Sequence, residues 1–280
     1  MQIIDTHLHL IYLERFRYPW LDGVPALNRD FTIEAYLSQA TALGIGRMLH
    51  MEVDVVETDI DAETAFATGI GRGVIGAIAA CRPEAAGFEA FLERVCADPR
   101  VRGFRRVLHT GAHPDAETPR FVASLRRLAR HRRTFDFCVL PRHIPLAAGL
   151  AKACPEVQFV LDHCGVPDIK DRALDPWRAH VRDIAGLPNV ACKISGIVAY
   201  GHPTEWTVED LRPYVEHVIA CFGWDRVVWG SDWPVCTVTA DLGRWVAATH
   251  DLIQGASDDE KERLLSGNAK RIYGLGADAA

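Results

Sequence analysis

A strand, a loop and a helix, repeated along the chain, is the pattern that most constrains what this sequence can fold into. Apolar runs rich in Val, Ile and Phe recur at QIIDTHLHL (2–10), RMLHMEV (47–53), GVIGAIAA (73–80), VRGFRRVLH (101–109), TFDFCVL (134–140), QFVLDHCG (158–165), NVACKISG (189–196) and RVVWGSD (226–232). Between them, helical periodicity with start and stop signals marks 32–45, 87–99, 118–131, 175–188, 207–223 and 259–275. Thr32 is placed to cap the first of these helices, Gly44 to stop it, and Pro119 to occupy the first turn of the third. In a chain of 280 residues this alternation predicts an α/β (β/α)8 TIM barrel, with an open doubly wound sheet as the alternative. No composition shift or linker divides the chain, so the barrel is expected to be one domain over 1–280.

Charge narrows the partners. A formal charge of −6 gives no basic stripe to concentrate phosphates, which argues against nucleic acid and anionic membrane and for a small-molecule substrate. Met1 leads straight into a strand, without the basic and apolar regions of a signal peptide, and no long apolar run follows. A cytoplasmic protein is expected, and a homo-oligomer is compatible with the sequence. The eight cysteines show no C-x-x-C spacing, and several sit inside apolar runs, which predicts buried free thiols.

The strand ends carry the chemistry. Asp5, His7 and His9 alternate along the first run, so they are expected on one face, with the two imidazoles able to converge on one ion and Asp5 deeper in the barrel. The sixth run ends at His163 and the eighth at Asp232, both on the rim where barrel enzymes assemble their sites. First and eighth strands are neighbours in a closed barrel, so Asp232 stands beside His7 and His9. Three neutral nitrogens and a carboxylate suit one divalent ion, zinc above all, with a water; they also suit a metal-free acid/base site.

This ordered series, D-x-H-x-H on the first strand, His on a later one and Asp on the eighth, resembles the amidohydrolase superfamily. Longer stretches, among them YPWL (18–21), GFRRVL (103–108), LPRHIP (140–145), FVLDHCGVPDI (159–169), FGWDRVVWGSDWPVC (222–236) and GNAKRIYGL (267–275), resemble its branch of sugar-lactonases and 2-pyrone-4,6-dicarboxylate lactonases. The resemblance implies a barrel that hydrolyses lactones, with His7, His9, His163 and Asp232 at its centre. Two-metal members use a lysine on the fourth strand; VRGFRRVLH has none, so a bridged metal pair is not expected.

Six further residues are candidates for holding substrate: Glu52, Arg105, His109, Arg142, His143 and Lys193. Arg105 either grips a carboxylate or ring oxygen or forms a salt bridge within the protein. Lys193, costly to bury alone, should bond a carboxylate of the site or the substrate. Trp20, Trp229 and Trp233 are either pocket walls or ordinary packing. The expected reaction is ring opening of a lactone, a sugar-acid lactone first, with Asp232 as general base and His163 as the next candidate. A dianionic pyrone lactone is the main alternative, served by Arg105, Arg106 and Arg142. A metal-dependent decarboxylase with His202 as proton donor is a second alternative, and a non-catalytic binder a third.

Overall fold

Eight parallel strands form in chain order because each apolar run can be buried on both faces, against the barrel interior and against helices. The computed structural model describes residues 2–109 and 114–276. Its strands are β1 (Ile3–Leu8), β2 (Ile45–Met51), β3 (Val74–Ala80), β4 (Val101–Val107), β5 (Thr134–Cys138), β6 (Phe159–Leu161), β7 (Val190–Ser195) and β8 (Val227–Gly230), each paired with the next. Helices α1 (Ile33–Ala40) to α8 (Leu242–Leu252) alternate with them. Thr32 caps α1 by accepting from the Ala35 N–H, and Gly44 ends that segment at φ 78°, as the sequence predicts.

Helices α2 (Ile60–Gly69), α5 (Ile144–Ala153) and α8 complete the alternation beyond those marked by periodicity. The first two are rich in Ala, which blurs the contrast between their faces. The helix predicted at 259–275 is broken: α9 (Asp258–Glu262) and α10 (Asn268–Ile272) are joined by a π turn at Arg263–Gly267. The C-terminal segment then packs Ile272, Tyr273 and Leu275 against Ile4, Ile78, Val160 and Val228, filling one end of the barrel interior. No helix among the described residues is long and apolar enough to cross a membrane.

The seam between β1 and β8 decides where the site forms. Beyond the strand ends the two segments still exchange backbone hydrogen bonds, Asp232 N–H to His7 O at 2.8 Å and His9 N–H to Trp233 O at 2.8 Å. Pairing of β1 with β2 shifts register between Asp5 and Leu8, an irregularity that reverses which face successive side chains take. The shared face expected for Asp5, His7 and His9 is therefore not found. His7 and His9 point into the site, while the Asp5 carboxylate accepts from Tyr36 of α1 at 2.6 Å, from Ser231 N–H at 2.8 Å and from His7 N–H at 3.0 Å. Gly230 makes the close approach possible, because a Cβ there would lie 2.7 Å from the His7 Cβ.

Asp5→Ala should therefore be costly. It strands two buried backbone N–H groups and a phenol, and a loss of about 2–5 kcal/mol is expected in urea unfolding. A variant within about 0.5 kcal/mol of the parent would show that the seam does not depend on this carboxylate.

Candidate active site

Three strand ends bring the predicted centre together. His7 and His9 leave β1, His163 follows β6, and Asp232 follows β8; all four are buried. His163 and Asp232 have φ of 55° and 56°, left-handed backbone that is uncommon outside glycine though less so for His and Asp, which turns both sharply off their strands. The Nε2 atoms of His7 and His9 are 3.1 Å apart, and Asp232 Oδ1 lies 3.6 Å from the first and 3.4 Å from the second. His163 presents Nδ1 to Ser195 Oγ at 3.0 Å and to Asp232 Oδ2 at 3.7 Å. Gly196, at φ 57°, leaves room for Asp232: a Cβ there would sit 2.1 Å from Oδ2.

Two buried cations stand behind the imidazoles. Lys193 donates to Asp136 at 2.7 Å, lies 2.9 Å from Asp162 and approaches His7 Nδ1 at 3.2 Å. Of the two partners expected for it, the structure supplies carboxylates of the protein: it is fully buried beneath the site and absent from the cavity wall, so the contact with substrate is not found. Arg105 donates from Nε to Glu52 Oε1 at 2.5 Å and from Nη2 to the Glu52 carbonyl at 2.7 Å. Its Nη1 lies 3.3 Å from His7 Nε2. Glu52 is likewise not a wall residue; its other oxygen accepts from Asp54 N–H, so it orients Arg105 instead of touching substrate.

These neighbours set the protonation states. Burial lowers all three histidines, helped by Lys193 at His7 and by Arg105 at His9, which falls to about 3. All three are neutral at neutral pH, with lone pairs free for a ligand. Burial pushes Asp232 up to about 6. At Asp162 burial acts in the same direction, but Lys193 and His7 outweigh it and hold the carboxyl well below its ordinary range.

The cavity above has a volume of about 300 Å³. His9, Arg105, His163 and Asp232 line it, together with His109, whose Nδ1 lies 3.1 Å from Cys138 Sγ. Three expected contributors lie elsewhere. Arg142 lines a neighbouring groove because its 3-10 turn carries it past the rim, and His143, half-buried at the start of α5, is in neither wall. His202 is half-exposed beside Glu205 and outside the cavity, so the proton donor expected of a decarboxylase is not at the centre. Trp20 forms part of the wall, whereas Trp229 stacks on Trp245 and Trp233 packs on Phe31 and Tyr36. The sequence reading missed Asp162, Asp136, Asp54 and Tyr200. For the first two a signal existed, since a lysine inside an apolar run demands carboxylates on adjacent strands.

The donor set fits one metal ion. Zinc bonded at ~2.0–2.1 Å in a tetrahedron separates its ligand atoms by about 3.4 Å, which the 3.1, 3.4 and 3.6 Å edges of the His7, His9 and Asp232 triangle match. A second grouping, His7, Asp162 and His163, is blocked because Lys193 already lies against His7 Nδ1 and Asp162. His163 thus falls outside the ligand triangle that the sequence expected it to complete. The approach of Arg105 to His7 Nε2 means that an ion at the open triangle competes with a guanidinium.

Comparison with known proteins agrees with the barrel fold. A family model described as amidohydrolase matches residues 4–275. An L-fucono-1,5-lactonase of Burkholderia ambifaria is 30% identical over 280 residues, spanning 96% of this chain and 94% of the relative. A 4-sulfomuconolactone hydrolase of Rhizobium radiobacter is 26% identical over 235 residues, spanning 82% and 75%. The crystal structure of an amidohydrolase from Burkholderia multivorans with bound zinc superposes with a TM-score of 0.89 at 26% identity, over 99% of this chain and 100% of that one.

Zinc titration with elemental analysis should saturate at no more than about one ion per chain. Gly196→Ala, which alters no ligand but displaces Asp232, should weaken that binding by about tenfold or more. Two tightly held ions, or unchanged affinity in the variant, would contradict this placement.

Proposed function

The chain belongs to the amidohydrolase family, and from that premise we propose that it is a lactone hydrolase, opening a sugar-acid lactone of the aldono-1,4- or 1,5-type with Asp232 as general base. The observation that carries the reading is the placement of Asp232: buried at the cavity wall, raised to about 6, and within 3.4–3.7 Å of three imidazoles. A carboxylate with that pKa is ionised at neutral pH yet basic enough to take a proton from water. Water attacks the ring carbonyl carbon as Asp232 accepts its proton. The bond from that carbon to the ring oxygen then breaks, and Asp232 returns the proton to the departing alkoxide, leaving a hydroxy acid.

Arg105, fixed by Glu52, and the neutral His163 provide positive charge and a polar ring where negative charge develops on the carbonyl oxygen. His7, His9 and Asp232 would hold a divalent ion, zinc in this reading. When bound it would polarise the carbonyl or acidify the attacking water. Turnover without metal stays open to the same residues. The pyrone-dicarboxylate alternative is less well served: Arg105 is committed to Glu52, Arg106 to Glu84, and Arg142 lies outside the cavity. We place the enzyme in the cytoplasm, as one barrel domain of carbohydrate metabolism, a placement supported by free thiols and by the names of its relatives.

Asp232→Asn keeps the shape and removes the proton acceptor. Turnover of a lactone should fall by about 100-fold or more while the lactone still binds. In chelator-treated parent enzyme, kcat/KM should rise with pH through about 6, because Asp232 must lose its proton to act, and a pH profile flat from 5 to 8 would remove it as the base.

A further inference from the structure

The wall of the cavity is divided between a polar centre and an apolar remainder. His9, Arg105, His163 and Asp232 are the reacting centre, and Arg105 and His9 are already bonded to Glu52 and the Met51 carbonyl. The rest is mostly hydrocarbon: Trp20, Val53, Val107, Leu140, Val166 and Val235. The Trp20 indole N–H is taken by the Val53 carbonyl at 2.8 Å. Among the described residues, the polar wall left for substrate is Asp54, Tyr200 and the bonded His109–Cys138 pair.

A hydroxyl brings a donor and acceptor lone pairs that need partners once water is displaced, and an apolar wall supplies none. The hydroxylated arm of an unmodified sugar acid therefore loses hydrogen bonds here, whereas an alkyl arm gains contact with every added carbon. There is space for one. The cavity shares Leu140, Val166 and Tyr200 with a groove of about 680 Å³, lined next to Leu140 and Val166 in the chain by Pro141 and Pro167, and also by Arg142, Asp168, Lys170 and Asp175.

We propose that the lactone opened here carries a hydrocarbon arm, an alkyl substituent longer than methyl on the ring carbon bonded to the ring oxygen, with any ring hydroxyls held by Asp54 and Tyr200. This rests on the lactonase reading of the same site and narrows its substrate class.

The test is a series of δ-lactones identical except for the arm: hydroxymethyl, methyl, ethyl and propyl, followed by acid release with the parent enzyme. Methyl should exceed hydroxymethyl in kcat/KM by at least about fivefold, the scale of an unpaired buried hydroxyl. Each further methylene should add about threefold to fourfold. Val107→Thr and Val235→Thr, which keep side-chain shape and add a hydroxyl, should each reduce the propyl-to-hydroxymethyl ratio by about threefold or more. A hydroxymethyl lactone that matches or beats the alkyl series overturns the inference and leaves the lactonase reading standing. So does a ratio that neither variant moves. If no member of the series is opened, the lactonase reading fails and takes the inference with it.

Discussion

Everything at the site hangs on the buried carboxylate of Asp5. It ties the backbone of His7 to the backbone of Ser231 and to the phenol of Tyr36, so one side chain clamps the irregular end of β1, the end of β8 and helix α1. The barrel closes on that clamp. Because β1 shifts register there, His7 and His9 turn inward, and because β8 is held beside it, Asp232 arrives against their Nε2 atoms. A residue absent from the cavity wall thus sets the geometry of the centre beside it.

The second organising element is charge placed where water cannot reach. Lys193 and Arg105 are buried cations, and pairs of this kind contribute little net stability once desolvation is counted. Their influence is on the histidines. Burial, helped by Lys193 against Nδ1, keeps the His7 imidazole neutral at neutral pH, and burial helped by Arg105 does the same at His9. The centre therefore combines basic nitrogens, one poised carboxylate and a fixed positive field, a combination suited to activating water beside a carbonyl. The Arg105 guanidinium, 3.3 Å from His7 Nε2, would compete with an ion held by His7, His9 and Asp232.

The barrel was legible in the sequence because strands buried on both faces announce themselves as apolar runs, and the residues at their ends follow by counting. His7, His9, His163 and Asp232 were found that way. The fate of Asp5 was hidden: its spacing to His7 is the same with or without a register shift, and nothing in the run marks the extra residue that β1 carries between Asp5 and Leu8. Lys193 was expected to bond a carboxylate of the site or the substrate, and Glu52 was a candidate for substrate; sequence does not show that Asp136 and Asp162 lie close enough to claim the first and Arg105 the second. Asp54 and Tyr200 reach the cavity from loops, where no periodicity points. The sixth apolar run extends past β6, which stops at Leu161 because the backbone turns left-handed at His163.

The central claim is that this centre drives water onto a lactone carbonyl, and it separates from the decarboxylase alternative by what leaves the substrate. Sugar-acid lactones and pyrone lactones would be supplied to the purified enzyme, with and without chelator, while acid release and carbon dioxide are followed together. The account predicts hydroxy acid from at least one lactone and no carbon dioxide from any substrate. Carbon dioxide release with every lactone ring intact would contradict it.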